Sequence, residues 1–512
     1  MKVFNASQIR EIESKAVQFG MDEMRLMENA GAACAKVIKE DFSLTENPHK
    51  RVVILCGKGK NGGDGFVIAR KLKEISVEPT IILTDGLPAI YEPAEMFDRA
   101  KTVSVRYLKW DTDSIRCADE IKNANILIDC IYGIGYHGSA DEKTRQIFDA
   151  VNNSGAFVCS IDTPSGIDCA GTDYDPSHIK ADLTISITAY KEVFVKPGIR
   201  DSLGEVKIVK IGIPEAFLEQ LKTEYEIIDQ NTVKRILPER SPDSHKGSFG
   251  HAMNICGSKR MPGAAVMSAA SAVSSGLGKL TVTFPSDAYA PITSHLTEPL
   301  FLPVASDENG FFSALAIPDI TEALQGKNAV LIGCGLGTSS GSKNVFKEVL
   351  KNCKAPLVID ADGINILSEN IDILTQRKFP AILTPHLGEM ARLTGLSVQE
   401  IAENKYEIAR EFARKHSVLL VLKSHETIVT DGESLYINTT GNAGMAKGGS
   451  GDVLAGIIVS FIAQGISPTD SAIAAVYLHG LSGDICQSIY GQRGMTPTNI
   501  IEELPNALKK FE

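Results

Sequence analysis

The stretch Gly441–Ala463, reading GNAGMAKGGSGDVLAGIIVSFIA, constrains this chain more than any other. A glycine-dense loop runs into Asp452 and then into an apolar run of helical length. Glycine lets the backbone pass close to a ligand in conformations other residues rarely adopt. A helix that starts directly after such a loop presents unpaired N–H groups and the positive end of its dipole, which together favour phosphate. Asp452 is out of place in a pure anion site, because its charge repels phosphate. It makes chemical sense as a base for a hydroxyl that meets the phosphate. The plainer alternative is a glycine turn with Asp452 as its N-cap, but one cap does not require so many glycines.

A helix this apolar needs a core on all sides. With 512 residues the chain exceeds one ordinary core, so two or more domains are expected. Hydrophobic residues make up 43% and charged residues 22%, the profile of a soluble globular protein. A net charge of −11 argues against nucleic acid or an anionic membrane as main partner, while leaving room for local phosphate-binding spots. The ten cysteines show no C-x-x-C pair and no metal spacing, and read as reduced, buried, small hydrophobes. The opening MKVFNASQIREIES is unlike a secretory signal or a transit peptide. The apolar run around Ala455–Ile466 is too short to cross a bilayer. The chain therefore reads as cytoplasmic.

In the first half, Ile9, Ile12 and Ala16 recur at helical spacing, and Asn5 with Gln8 forms a capping-box pattern. Met21, Met24 and Met27 read as core or interface filler rather than a cofactor site. Arg51–Cys56 is a continuous apolar run, as in a buried parallel strand. It leads into GKGKNGGDG and a helix expected from about Phe66, the strand–glycine loop–helix order of a phosphate site. The loop is neither G-x-G-x-x-G nor a Walker loop. Its Asn61 and Asp64 offer oxygens to a cation or a ribose, or simply stabilise turns.

Further strands are expected at Thr80–Thr84, Ile126–Cys130, Phe157–Ile161 and Leu183–Thr188, with helical segments between several of them. That alternation argues a doubly wound α/β domain with its ligand site at the carboxyl ends of the strands. Asp129 leads into GIGYHG, and Asp162 opens DTPSG. Asp129 follows a strongly apolar strand and reads as a cation ligand or a hydrogen-bond anchor. Lys191 could meet phosphate or act as an acid. Val206–Ile213 reads as a last strand, Glu215–Glu226 as a helix, and the domain boundary falls within about residues 215–240.

The second half repeats the theme. Strands are expected at His251–Cys256, Lys279–Phe284, Asn328–Ile332, Leu357–Ile359, Ala381–Leu383 and Val418–Lys423. Several end in polar or glycine-rich segments: GCGLG, Asp360-Ala361-Asp362, TPHLGE and KSHET. Residues 261–278 read as a helix of small residues that lets its neighbours approach closely. His386 has no second His or Cys at ligand spacing, so zinc is not expected. Lys423 with Thr427 could grip phosphates. No register of repeated sequence joins the halves.

With GNAGMAKGGSGDVLAG, GCGLG, TPHLGE and KSHET, the second half resembles the ADP-dependent NAD(P)H-hydrate dehydratases of the ribokinase-like superfamily. With KGKNGGDG, Asp129 before GIGYHG, and DTPSGID, the first half resembles the NAD(P)H-hydrate epimerase domain. Together they look like the bifunctional NAD(P)H-hydrate repair enzymes. The resemblance implies an α/β protein of two domains. One is a Rossmann-like doubly wound domain over residues 1–218, and the other a ribokinase-like domain over 225–512. It implies epimerisation of NADHX and NADPHX, which are NADH and NADPH hydrated across a ring double bond. It further implies ADP-dependent phosphorylation of the hydrate, with loss of phosphate. K+ and Mg2+ are the implied ions, and a homo-oligomer the implied assembly. No nucleic acid or membrane partner is implied.

By position, the resemblance assigns the first substrate site to Lys60, Asn61, Gly62, Gly63, Asp64, Gly133, Ile134, Gly135, Tyr136, His137, Gly138, Ser139 and Asp162. Asn61, Asp129 and Ser165 would ligate potassium. Asp162 and Lys191 would move protons. The second hydrate would meet Ala252, Gly335, His386 and Asp452, with Asp452 catalytic. The nucleotide would lie on Lys423, Ser424, His425, Glu426, Thr427 and Gly451. Two departures stand out: Ser424 replaces the usual glycine after the nucleotide lysine, and Ser450 the usual threonine of G-T-G-D. A ribokinase-like vitamin-precursor kinase shares the second site, and an RNA-associated scaffold shares the first domain. The acidic balance speaks against the scaffold.

Overall fold

The apolar runs become strands of two largely parallel sheets, and the chain divides into two compact units, Lys2–Thr223 and Glu224–Glu512. The computed structural model describes residues 1–169, 177–196 and 198–512.

In the first unit the seven-stranded sheet runs Arg106–Lys109, Thr80–Leu83, Val52–Cys56, Ile126–Cys130, Phe157–Ile161, Leu183–Ile187, Glu205–Val209, all parallel. Strands Val52–Cys56 and Ile126–Cys130 are buried along their whole length, as expected where helices cover both faces. Strand order reverses between these two strands, which places a ligand crevice beyond their carboxyl ends. Helix Ala6–Gln18 starts with the expected Asn5–Gln8 capping box and buries Ile9, Ile12 and Ala16. Met27 is core and Met21 and Met24 pack against it.

Helix Lys60–Lys73 begins six residues before the expected Phe66, so the glycines lie inside its first turns. Close packing explains this. A Cβ on Gly62 would sit 1.9 Å from the Gly57 carbonyl oxygen, one on Gly63 2.5 Å from Met27 Sδ, and one on Gly65 2.7 Å from Cys56 Sγ. Helix propensity is poor here, and tertiary contact overrides it.

In the second unit the sheet runs Leu300–Val304, Lys279–Pro285, His251–Ile255, Ala329–Ile332, Leu357–Ile359, Ala381–Leu383, Leu419–Leu422, Ile428–Thr430, Leu435–Asn438, Tyr225–Ile228. The strands are parallel as far as Leu419–Leu422 and then continue through two antiparallel pairings. The order reverses between His251–Ile255 and Ala329–Ile332. Helix Ser450–Ala463 is buried on nearly every side and packs on helix Pro262–Ser274. A Cβ on Gly456 would lie 2.1 Å from Ser271 Oγ, so the small residues of both helices are what allow the approach.

Two expectations need correction. The helix expected over Glu215–Glu226 stops at Glu219, and Tyr225–Ile228 is a strand of the second unit. The strand expected over Val206–Ile213 is Glu205–Val209. No helix among the described residues is long and apolar enough to cross a membrane.

Candidate active sites

The first site is a cavity of about 820 Å³ at the strand-order reversal of the first unit, within the size range of cofactor sites. Its wall includes Lys58, Gly59 and Lys60 after one central strand and Ile131–His137 after the other. Lys60, Asn61, Asp64, Gly133, Ile134, Gly135, Tyr136, His137 and Asp162 all line it.

Asp162 follows strand Phe157–Ile161 with φ 70°, a left-handed value that strains a non-glycine residue. Its Oδ1 lies 2.7 Å from Lys191 Nζ, and its Oδ2 accepts the Ile134 amide at 3.1 Å. Lys191 is 1% exposed and also donates to Ser186 Oγ at 2.6 Å. A Cβ on Gly133 would stand 2.9 Å from Asp162 Oδ2, so the glycine keeps that carboxylate open to the cavity. Asp64 is buried, and burial, then the Asp162 and Glu13 carboxylates, hold it well above the usual carboxylate range. A neutral Asp64 can donate a hydrogen bond to a ligand.

Asp129 is fully buried, and its four lone-pair positions are filled. Oδ1 accepts from Ser165 Oγ at 2.6 Å and the Ile131 amide at 3.2 Å. Oδ2 accepts from Ser160 Oγ at 2.8 Å and the Ser165 amide at 2.9 Å. These four contacts make Asp129 the hydrogen-bond anchor that fixes Ser165. Asn61 differs: its Oδ1 is buried with no hydrogen-bond partner, and the Tyr132 and Ile161 carbonyls converge on its amide group. The two carbonyls take the Asn61 Nδ2 protons and leave its Oδ1 as a buried acceptor free for a cation or a ligand.

Gly62 and Gly63 are packing glycines within their helix rather than cavity wall. Gly138 and Ser139 lie farther along their loop, exposed, with the Gly138 amide on Asp168 Oδ2 at 3.3 Å. The helix Ala6–Gln18, which no motif marks, contributes Arg10, Glu13, Ser14 and Val17 to the wall.

In the second unit, Gly449 stands at φ 104° as N-cap of helix Ser450–Ala463, and Asp452 is the helix's third residue. Asp452 is thus not the cap. The Ser450 amide bonds to the Lys447 carbonyl at 3.2 Å, while those of Gly451 and Asp452 have no preceding helical carbonyl to reach. The loop ahead is held by Asp484, which accepts from the Gly441 amide and from Asn442 Nδ2, each at 3.0 Å.

Four more strand ends meet this helix. Lys423 Nζ lies 2.7 Å from Asp360 Oδ1, which also accepts from Thr384 Oγ1 at 2.7 Å. Carboxylate oxygens of Asp360 and Asp452 and Cys334 Sγ lie within 4.8 Å of one another. A Cβ on Gly451 would sit 3.0 Å from Lys423 Nζ, so this glycine leaves the ammonium accessible at the helix start. Burial and then the Asp360 charge push Asp452 up to about 7, which suits a base working near neutral pH.

His386 caps helix Leu387–Thr394: its Nδ1 accepts from the Gly388 and Glu389 amides, and Glu389 completes a capping box. Burial and the Lys423 charge lower its pKa, which keeps Nδ1 free to accept. Its ring remains half-exposed.

Two assignments change, those of Ala252 and Glu426. Ala252 is 0% exposed near the amino end of its strand, paired with Leu280 and Ala329 inside the core, and cannot touch a ligand at the strand ends. The alanine beside Gly335 is Ala264, whose Cβ would be 2.9 Å from a Cβ there. The Glu426 side chain turns inward, accepting from Lys405 Nζ and Tyr406 Oη at 2.8 Å each. Ser424 Oγ donates to the Glu426 carbonyl at 2.7 Å, so Ser424 ties its own turn, while His425 is exposed.

Two α/β units, each with an acidic group and a lysine at parallel strand ends, define a two-site enzyme with one site of kinase-like form. The family model described as NAD(P)H-hydrate dehydratase matches residues 252–506, and the one described as YjeF-related protein N-terminus matches residues 23–193. The bifunctional NAD(P)H-hydrate repair enzyme Nnr of Moorella thermoacetica is 31% identical over 526 residues, covering 100% of this chain and 97% of its own length. That of Escherichia coli is 31% identical over 513 residues, covering 98% and 93%. A solved ribokinase-like superfamily protein from Enterococcus faecalis aligns with TM-score 0.50 and 29% identity, covering 57% of this chain and 98% of that one. The chain belongs to the bifunctional NAD(P)H-hydrate repair enzyme family.

Proposed function

We propose that this chain repairs hydrated NADH and NADPH, with epimerisation in the first unit and ADP-dependent dehydration in the second. The observation that carries the second step is Asp452, raised to about 7 in the first turn of a helix whose Gly451 and Asp452 amides have no helical carbonyl to reach. Asp452 takes the proton from the hydrate's hydroxyl, and that oxygen attacks the terminal phosphorus of ADP, breaking the bridging P–O bond and releasing AMP. The Gly451 amide and Lys423 steady the charge that develops on phosphate. Departure of phosphate with the C–O electron pair, and loss of a ring proton, restores the double bond. Gly335, Ala264 and the exposed edge of His386 face the hydrate. Lys423, Ser424, His425 and Thr427 flank the nucleotide.

Mg2+ would neutralise the nucleotide phosphates, and the Asp360 carboxylate would suit it. Potassium would lie at Asn61 Oδ1, with Asp129 and Ser165 as the further ligands the resemblance implies, ordering the cavity floor. Thermal melts in KCl against LiCl read that contribution without any turnover. In the first cavity, Lys60, the 133–137 loop, Asp64 and Asp162 hold the hydrate, and Asp162 and Lys191 move protons. Ten buried free cysteines fit a reducing cytoplasm, and a homo-oligomer is the assembly expected from the resemblance. A kinase acting on another hydroxyl shares the second site but leaves the first cavity without a purpose.

The test is recovery of reduced-nicotinamide absorbance from a mixed-epimer hydrate with ADP. Full recovery is expected. Release of a stable phosphorylated product without recovery contradicts the proposal.

A further inference from the structure

Helix Ala6–Gln18 precedes residues 23–193, the span matched by the family model of the first unit. It nevertheless builds one wall of the first cavity. Arg10, Glu13, Ser14 and Val17 recur at the spacing of a single helical face. Ile9, Ile12 and Ala16 hold other positions of the helix in the core. Glu13 is partly buried and has no hydrogen bond or ion pair to any described residue. A carboxyl group fixed in a cavity wall without a partner is placed to meet a ligand.

Resting on the reading of this cavity as an epimerisation site, we infer that Glu13 is a catalytic residue, the general acid that works opposite Asp162. Hydration of the ring puts the hydroxyl on the carbon beside the ring nitrogen. Inversion there requires the C–O bond to break and to re-form on the other face. The nitrogen lone pair expels the hydroxyl, which takes the Glu13 proton and leaves as water. A second water adds to the opposite face of the iminium carbon and gives its proton to Asp162. One water leaves and one enters; Glu13 has lost a proton and Asp162 gained one. Exchange with solvent, or the reverse reaction, resets both groups.

The surroundings favour this division. Burial, then Asp162, raise the proton affinity of Glu13, with Glu23 adding and Lys60 and Lys191 opposing. Asp64 and Arg10 are the other charged groups of the wall near it. Glu13 sits inside its helix, where the dipole gives little help to a negative charge. Asp162 is ion-paired to Lys191. Carboxyl groups whose environments differ in this way divide naturally into an acid and a base.

The experiment is Glu13→Gln in the full chain, with interconversion of separated epimers followed by chromatography without ADP. Loss of kcat by about 100-fold at little change in KM is expected, the size of a lost general acid. The wild-type fall in kcat at alkaline pH, as Glu13 gives up its proton, disappears from the residual activity. Glu13→Asp recovers part of the rate. ADP-dependent dehydration of the pure reactive epimer stays at the wild-type rate, and wild-type hydrogen exchange in strand Phe157–Ile161 shows that the first unit is folded. Wild-type kcat in Glu13→Gln, or a rise in KM alone, overturns the inference. A wild-type chain that does not interconvert epimers overturns the reading beneath it instead.

Discussion

The two units hold the same device at their strand ends. Lys191 meets Asp162 and Lys423 meets Asp360, each at 2.7 Å. Each pair stands next to a strained backbone, φ 70° at Asp162 and φ 49° at Ala361. Each leaves a second carboxyl group outside the pair with its proton affinity raised, Glu13 in one unit and Asp452 in the other. The difference lies in what surrounds that second group. Asp452 lies in the first turn of a helix, and burial and the Asp360 charge push it up to about 7. Glu13 sits within a helix among other carboxylates. The same pair therefore supports a base for phosphoryl transfer in one site and an acid for inversion in the other.

The largest expected effect comes from removing the lysine of each pair. Uncompensated buried charges cost about 3–5 kcal/mol. Lys423→Met strands Asp360, whose side chain is 2% exposed, whereas Lys191→Met strands Asp162 at 13%. The second loss is expected to be the smaller. Hydrogen exchange in strands Leu357–Ile359 and Phe157–Ile161 reads each unit separately. Equal losses break the ranking.

Next in size is the pH response of the second site. Dehydration requires ionised Asp452, so the rate rises with pH through about 7. Asp360→Asn removes a charge that raises the Asp452 pKa and leaves Lys423, which lowers it. The acidic limb of the rate profile is expected to move to lower pH. An unmoved limb assigns it to another group. Stability runs the other way. Folding holds the proton on Asp452 more tightly than the ordinary carboxyl does, so this group's contribution is fully present below pH 3.8 and lost as pH rises through about 7.

The smallest effect compares two caps. Asn5→Ala and His386→Ala each remove a side-chain acceptor from a helix start, at about 1 kcal/mol. The His386 cap is also lost when acid protonates Nδ1, below the ordinary histidine range; the Asn5 cap is not. Urea midpoints at neutral and acidic pH separate them.

Much of this was legible in the chain. The central strands read clearly because parallel strands buried on both faces are continuous apolar runs, as in VVILC and ILIDC. The edge strand Leu300–Val304 did not, because half of it faces solvent and Pro303 interrupts it. The helix start at Lys60 was hidden because glycine signals a loop until its close contacts are known. Lys423, Asp162 and Lys191 stood out as charges after apolar runs, and Asp452 as a charge between a glycine loop and an apolar run. Glu13 carried no such signal, since an acid on an amphipathic helix looks like solvated surface. Ala252 was misplaced because position in a motif does not say which end of a strand is meant.

The most direct test of two separable sites in one chain is a pair of variants assayed on the mixed-epimer hydrate with ADP. Asp162→Asn is expected to recover absorbance quickly to the share of one epimer and then stall. Asp452→Asn is expected to recover none, while still interconverting the epimers. Loss of both activities in either folded variant, or full rapid recovery by Asp162→Asn, would contradict the two-site account.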